Sequence, residues 1–214
     1  MNAATGVAFA IAAVFAVGDW IAKARNNRRL EYLCKPATLV ALIVAACVLD
    51  PAAGADSRRT WFVVALCFSL AGDVLLMLDE WRDLFVFGLA AFLVAHVAYI
   101  VGFFTDPPGA VAWLVAAVVV IAVLAPVARR IVGALGSEPE LRAPVGAYIL
   151  VISVMVATAL ATGNVLAALG AALFAWSDSM IAWNRFVRPV RHADVAIMVT
   201  YHLGQAGLVL SLLR

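Results

Sequence analysis

Long apolar segments separated by short polar joints are the feature that most restricts what this chain can fold into. A transmembrane helix needs about 20 apolar residues, and by that measure the chain contains eight candidate segments. They are residues 3–22, 33–49, 61–78, 84–104, 109–128, 143–161, 164–183 and 193–213. Because lipid satisfies no backbone hydrogen bonds, segments of this kind are predicted to be helical. The sequence therefore predicts an all-α integral membrane protein, with residues 1–214 forming a single transmembrane domain.

The composition excludes several other classes of protein. Hydrophobic residues make up 66% of the chain and charged residues only 13%, whereas about a quarter of the residues of a soluble domain are charged. The net charge of +2 is too small to indicate nucleic-acid binding. Cys34, Cys47 and Cys67 show no CxxC spacing, so neither a disulfide framework nor a zinc site is predicted. The first apolar segment lacks the basic leading region of a cleaved signal peptide.

The joints between the segments carry turn and capping signals. "DEWRD" (residues 79–83) predicts a tight turn, and "DPPG" (residues 106–109) separates the fourth segment from the fifth. Ser137 and Glu140 have the spacing of a capping box before the sixth segment. Asn164 is predicted to cap the seventh helix.

The distribution of basic residues predicts the orientation in the membrane. Of the 15 Lys and Arg residues, 12 lie in or beside the joints that follow odd-numbered segments, the others being Arg58, Arg59 and Arg214. The positive-inside rule places those joints in the cytoplasm and both termini on the opposite side. Because the composition is rich in alanine, as in many bacterial chains, we expect a multi-pass protein of a bacterial inner membrane.

Two aspartates stand at matching places in apolar segments. Asp73 lies in "FSLAGDVLLML" and Asp178 in "LFAWSDSMIAW", each about five residues before the cytoplasmic end of its segment. At 1.5 Å per residue, both would lie roughly 7 Å below the inner edge of the hydrocarbon. A charged Asp within a bilayer costs about 3 kcal/mol on insertion scales. Two such residues at one depth are predicted to share a hydrated cavity.

An Asp pair of this kind fits acid–base chemistry, although other roles stay open. Two close carboxyl groups titrate together, so one can keep its proton near neutrality and act as general acid while the other acts as base. Glycosidases use such a pair on an acetal through an oxocarbenium-like state. The same aspartates could instead hydrogen-bond neighbouring helices, or relay protons in a small membrane transporter or proton-coupled carrier.

Other polar residues within the segments are candidates for substrate binding. Lys35 could extend to the membrane surface, neutralise an aspartate or bind a phosphate. Asp19 is either a helix-interface residue or a third acid. Two histidines on different helices could ligate haem, but no motif supports this and we expect no metal or cofactor. The full set of candidate substrate-binding residues is Lys35, Ser69, Gly72, His96, Tyr99, Ser177, Tyr201, His202 and Gln205.

A weak internal repeat relates the two halves of the chain. His96 follows Asp73, and His202 follows Asp178, at nearly equal distances along the sequence. An offset of about 105 residues thus superimposes the first four segments on the last four. Because four is an even number, the sequence predicts two parallel four-helix repeats about an axis along the membrane normal.

Five short motifs follow one another along the chain. They are "KP" at 35–36, "SLAGDVLLM" at 69–77, "FGLAAFLVAHVAY" at 87–99, "FAWSDSMIAWNRF" at 174–186 and "TYHLGQAGL" at 200–208. Taken in order, these motifs resemble those of the YhhN-like lysoplasmalogenase family of eight-helix membrane enzymes. The resemblance implies hydrolysis of the vinyl-ether bond of lysoplasmalogens, with Asp73 and Asp178 as the acid–base pair and without a metal or organic cofactor. The implied substrate is a lysophospholipid, and the products are a fatty aldehyde and glycerophosphoethanolamine or glycerophosphocholine. The oligomeric state stays open.

Overall fold

Eight long helices form the protein in the computed structural model, which describes residues 1–78, 84–136 and 138–214. All eight are long and apolar enough to cross a membrane, so the predicted all-α, multi-pass membrane fold is confirmed. The "DEWRD" turn and Ser137 lie outside the described residues. The helices are α1 Ala3–Ala24, α2 Arg28–Val48, α3 Asp56–Met77, α4 Phe85–Phe104, α5 Ala110–Ala134, α6 Arg142–Ala161, α7 Val165–Ala182 and α8 Ala193–Leu210.

Helix ends differ from the predicted segments where polar residues continue the helix beyond the apolar stretch. α2 begins at Arg28 and α3 at Asp56, each about one turn before the predicted apolar boundary. The α2 start is fixed by Asn27, whose side chain accepts a hydrogen bond from the Leu30 amide. α5 continues through Pro126 to Ala134. Hydropathy marks the hydrocarbon region, whereas capping and local hydrogen bonds decide where the helix itself stops.

The predicted cap of the seventh helix is confirmed. The Asn164 side chain accepts hydrogen bonds from the backbone amides of Leu166 and Ala167, at 3.0 and 3.1 Å. Its amide group also donates to the Ser211 carbonyl at 3.1 Å. One asparagine therefore starts α7 and ties it to the end of α8.

Successive helices within each half of the chain pack as neighbours, α1 to α4 and α5 to α8 in chain order, whereas among the described residues α4 and α5 do not pack closely on each other. α1 and α8 also pack together. α4 also packs on α6, which joins the two halves of the chain. α5 lies at the periphery, where only Ala116, Val120 and Ile131 of its described residues are buried. In both halves of the chain, each helix packs on the next one in sequence, but any up-and-down helical bundle would show this pattern. The four-helix repeat therefore stays a prediction.

Glycine residues allow α7 and α8 to approach closely. A Cβ atom added to Gly170 would lie 2.7 Å from the backbone nitrogen of Leu208 and 2.9 Å from the carbonyl oxygen of Gly204. Small residues at such crossings let helix backbones come together within a membrane. This contact fixes α7, which carries Asp178, against α8, which carries Tyr201.

We expect Gly170→Ala to lower the stability of the protein by about 1–3 kcal/mol, because backbone atoms of α8 cannot yield to the added methyl group. Gly133→Ala is the matched control, since a Cβ atom there meets no neighbouring atom within 4 Å. Thermal unfolding of both variants in detergent micelles checks the prediction. Equal melting temperatures for the two would contradict the close packing of α7 on α8.

Candidate active site

Asp73 lies at the centre of a buried ionic cluster formed by three helices. Its Oδ1 atom is 3.1 Å from the Nζ atom of Lys35 on α2, and its Oδ2 atom accepts a hydrogen bond from the Tyr201 hydroxyl on α8 at 2.7 Å. The side chains of Lys35 and Asp73 are only 7% and 2% exposed. Lys35 therefore neutralises Asp73 within the bundle and does not extend to the membrane surface.

Asp178 lies in a second cluster, in which all its neighbours are formally neutral. Its Oδ2 atom accepts a hydrogen bond from the Tyr148 hydroxyl on α6 at 2.5 Å. The Nε2 atom of His96 on α4 lies 3.6 Å from the same oxygen. The Nδ1 atom of His96 is 2.6 Å from the Phe92 carbonyl oxygen, which places the proton of a neutral imidazole on Nδ1. Nε2 then presents a lone pair towards Asp178.

Aromatic rings separate these two clusters without moving them far apart. The Phe174 ring centroid is 5.3 Å from that of Tyr201 and 4.7 Å from that of His96. Phe92 completes the wall, with its ring 5.9 Å from that of Tyr201. The Phe174 ring thus packs on Tyr201 beside Asp73 and on His96 beside Asp178, which brings the two carboxyl groups near each other. Each stands four residues before the end of its α-helix, at Met77 in α3 and at Ala182 in α7, which agrees with the common depth predicted from the sequence.

An apolar groove that encloses about 70 Å³ reaches Asp178 between α3, α4, α5, α6 and α7. The carboxyl group and the Tyr148 hydroxyl supply the main polarity in an otherwise hydrophobic wall. The Asp178 side chain is 11% exposed. The groove is lined by Leu76, Phe85, Leu89, Phe92, Ile131, Val145, Tyr148, Ile149, Ile152, Ala175, Asp178, Ser179, Ile181, Ala182 and Phe186.

A second cavity of about 390 Å³, here called the vestibule, adjoins the groove. Leu76, Phe85 and Ile181 belong to the walls of both cavities. Unlike the groove, the vestibule is strongly polar, with the ionic cluster behind it. Its charged and amide-bearing lining residues are Lys23, Glu31, Lys35, Asn184, Arg185 and Asp194.

The sequence predicts one cavity shared by both aspartates, whereas the structure has two adjoining cavities. Asp178 lines the groove, and Asp73 lies behind Lys35, which lines the vestibule. The two cavities are separate because the Phe92 ring fills the space beside Gly72. A Cβ atom on that glycine would lie 2.6 Å from the ring. Gly72 thus makes room for an aromatic side chain of the protein and not for a ligand.

Ser69 and Ser177, two of the predicted substrate-binding residues, lie near the aspartates in sequence but do not hydrogen-bond their carboxylates. Ser177 donates to the carbonyl oxygen of Ile197 on α8 at 3.2 Å. The Ser69 hydroxyl is buried and has no hydrogen-bond partner within residues 1–78, 84–136 and 138–214. The flanking position in sequence was misleading because adjacent residues of a helix point in different directions.

Three other predicted residues hold the helices together away from the walls of both cavities. Tyr99 donates to Gln205 Oε1 at 2.5 Å, and His202 accepts from the Trp20 indole at 3.1 Å. Asp19 is fully buried, and neither of its carboxylate oxygens has a hydrogen-bond partner in the described part of the chain. Over the same residues, no three His, Cys, Asp or Glu side chains converge as a metal site.

Tyr148 is the main residue that the sequence reasoning missed. A signal was present, since a tyrosine within an apolar segment needs a partner for its hydroxyl. The sequence did not show that this partner is Asp178, because the contact joins α6 to α7 across 30 residues. In the sequence, Arg185 stands out as part of a basic joint, and Asn184 belongs only to the motif at 174–186.

The fold and the two clusters define an all-helical, multi-pass membrane protein in which buried carboxyl groups lie beside an apolar groove and a polar vestibule. The chain belongs to the YhhN family, whose sequence model matches residues 30–212. No solved structure matches the chain significantly.

Named relatives of the chain come from both animals and bacteria. It is 37% identical over 152 residues to human lysoplasmalogenase TMEM86B, covering 70% of this chain and 62% of the relative. It is 38% identical over 159 residues to the lysoplasmalogenase of Mycobacterium tuberculosis, covering 71% and 58%. The pig lysoplasmalogenase TMEM86B is 32% identical over 181 residues, covering 84% and 74%. The matched segments thus span about three fifths of the human and mycobacterial relatives.

We expect Lys35→Met to destabilise the protein by about 3–5 kcal/mol, because it leaves the buried Asp73 carboxylate without its cation. Adding Asp73→Asn should recover part of this loss, since the remaining amide carries no charge. Unfolding of the wild type, both single variants and the double variant in detergent gives the coupling free energy. Strictly additive effects would contradict a stabilising interaction between these side chains.

Proposed function

We propose that this protein hydrolyses the vinyl-ether bond of lysoplasmalogens, giving a fatty aldehyde and glycerophosphoethanolamine or glycerophosphocholine. The observation that carries the proposal is the Asp178 carboxyl group in the wall of an apolar groove that adjoins a polar vestibule. An amphipathic lipid matches this division, with its chain in the groove and its headgroup outside it. The names of the relatives support the same substrate.

In this proposal, Asp178 is the general acid. Tyr148 donates to Oδ2, which leaves Oδ1 for the groove. No cation pairs with this carboxyl group within the described ranges, whereas the lone pair of His96 Nε2 faces it. A carboxyl group buried beside an apolar groove without a cationic partner favours its neutral form, so the arrangement supports a protonated Asp178 that can donate to substrate.

Asp73 is then the ionised member of the pair. Lys35 and Tyr201 both stabilise its negative charge. We infer that Asp73 holds Lys35 at the vestibule wall and contributes to the field that stabilises the cationic intermediate. The different surroundings of the two aspartates divide the acid and carboxylate roles between them.

The reaction balances with water as the only co-substrate. The π electrons of the alkene bond the Asp178 proton to the outer carbon, and a lone pair of the ether oxygen stabilises the remaining cation as an oxocarbenium ion. Water then adds to the carbon of that ion, and the Asp178 carboxylate takes up the proton that the water releases. The hemiacetal collapses to an aldehyde, and its hydroxyl proton passes to the departing glycerol oxygen.

The localisation proposed with this function is a bacterial inner membrane, with the basic joints in the cytoplasm and both termini on the other side. The vestibule supports this orientation. The vestibule lies at the same end of the bundle as the basic joints, because its walls include Lys23, Lys35 and Arg185. The substrate would then be taken from the inner leaflet.

Purified protein in detergent should release aldehyde from lysoplasmenylethanolamine. We expect Asp178→Asn to lower kcat by about 10²–10⁴-fold, the usual contribution of a proton-transferring group. Asp73→Asn should also lower kcat, because it removes the carboxylate that holds Lys35. Asp106→Asn is the control, because that side chain is 87% exposed and lies outside both clusters. Lipid movement without cleavage by the wild type would instead support a carrier.

The position of the transferred proton gives a second test. In D₂O, protonation of the alkene carbon by Asp178 should place one deuterium on the carbon next to the aldehyde group. Mass spectrometry of the aldehyde, reduced at once to the alcohol to prevent exchange, measures this label. Aldehyde without that deuterium would exclude the proposed protonation step.

A further inference from the structure

We propose that the vestibule is a binding site for a zwitterionic phospholipid headgroup, in which Lys35 and Arg185 face the phosphate and Asp194 faces the ammonium group. This assignment deepens the proposed function and rests on it for the identity of the lipid. The vestibule has both signs of charge on its walls: Lys23, Lys35 and Arg185 against Glu31 and Asp194. A purely anionic ligand would be repelled by the acidic wall, whereas a zwitterion finds a partner for each charge.

The phosphate side of the vestibule is built from cations whose positions are fixed. Lys35 is 5% exposed and is held by Asp73 at 3.1 Å. An ammonium group has three donors, so others are left for a ligand oxygen. The Arg185 guanidinium lies over the Phe85 ring, 3.7 Å from its centroid, an arrangement that orients its plane.

An amide group lies beside these cations. The Asn184 Oδ1 atom accepts a hydrogen bond from the Val190 backbone amide at 2.8 Å. This contact fixes the side chain, so its NH₂ group is turned away from Val190. The phosphate side of the vestibule therefore combines two cations with an amide donor, the groups that proteins commonly use for phosphate oxygens.

The ammonium side depends on Asp194. Glu31 is already engaged by Lys23, at 2.6 Å. Asp194 is exposed in the first turn of α8 and makes no hydrogen bond or ion pair with any residue that the structure describes. It is therefore the carboxylate of the vestibule that is available to a cationic group.

The position of the vestibule relative to the groove fits one lipid molecule. The shared residues Leu76, Phe85 and Ile181 make the two cavities continuous. In a lysoplasmalogen, only the glycerol carbons separate the phosphate from the vinyl ether. With the phosphate beside Lys35 and the chain in the groove, the vinyl ether lies near the junction, on the side where Asp178 lines the wall.

Kinetics with two headgroups test the role of Asp194. We expect Asp194→Asn to raise KM for lysoplasmenylethanolamine about two- to fivefold, as for an exposed charge pair, while kcat stays unchanged. KM for alkenylglycerophosphate, which lacks the ammonium group, should stay constant or fall. Asp194→Glu should restore the wild-type value. Glu140→Gln is the control, because Glu140 is an exposed acid outside the vestibule.

Binding to the inactive Asp178→Asn protein separates this inference from the proposed reaction. The probes are ester-linked lysophosphatidylethanolamine in micelles, soluble glycerophosphoethanolamine and inorganic phosphate, each titrated by calorimetry. We expect lysophosphatidylethanolamine and glycerophosphoethanolamine to bind, and inorganic phosphate to bind about tenfold more weakly or worse. Adding Asp194→Asn should weaken the binding of the two ammonium-bearing probes only. Binding of the lipid but not of glycerophosphoethanolamine would show that the chain alone gives the affinity and would overturn the headgroup site.

The two proposals fail in different ways. Headgroup binding that depends on Asp194, without aldehyde release by the wild type, supports the vestibule site and overturns the hydrolase. If the protein releases aldehyde but Asp194→Asn leaves its headgroup preference unchanged, the vestibule site is overturned and the proposed hydrolase is not. Equal affinity for inorganic phosphate and glycerophosphoethanolamine would also overturn it.

Discussion

The buried contact between Lys35 and Asp73 is the interaction on which the rest of the interior depends. A charge in a membrane protein interior is tolerated only when it is paired and hydrogen-bonded. This pair joins α2 to α3, and the Tyr201 hydroxyl brings α8 to the same carboxylate. Three helices are thereby held in one register near the end of the bundle that carries the basic joints. The pair also places a cation at the wall of the vestibule.

The carboxyl groups of Asp73 and Asp178 lie at the same depth but have different surroundings, so the two groups differ in their chemical properties. Asp73 faces a cation, whereas Asp178 faces a tyrosine hydroxyl, a neutral histidine and an apolar groove. The rings of Phe92 and Phe174 keep the two environments distinct. Because the groove is apolar and the adjoining vestibule is charged, the interior matches an amphipathic molecule. A lysolipid is such a molecule, and its reactive bond lies where its two parts meet.

The sequence predicted the helices well because crossing a bilayer depends on the local density of apolar residues. It also placed the two aspartates at one depth, since that requires only counting along a helix. It did not show which way Ser177 points, and the single shared cavity that it predicted is two adjoining cavities in the structure. Ser177 bonds a neighbouring carbonyl, and the Phe92 ring divides the space beside Gly72. Both outcomes depend on which way a side chain points and on what the facing helix presents.

The sequence by itself thus determined an eight-helix membrane protein with Asp73 and Asp178 near one face, because hydropathy and helical rise act within each segment. Only the tertiary structure decided that Lys35 pairs with Asp73, that Tyr148 bonds Asp178, and that the groove adjoins the vestibule. These contacts join residues far apart in the chain. They are set by the rotation and register of packed helices, which no single segment of sequence specifies.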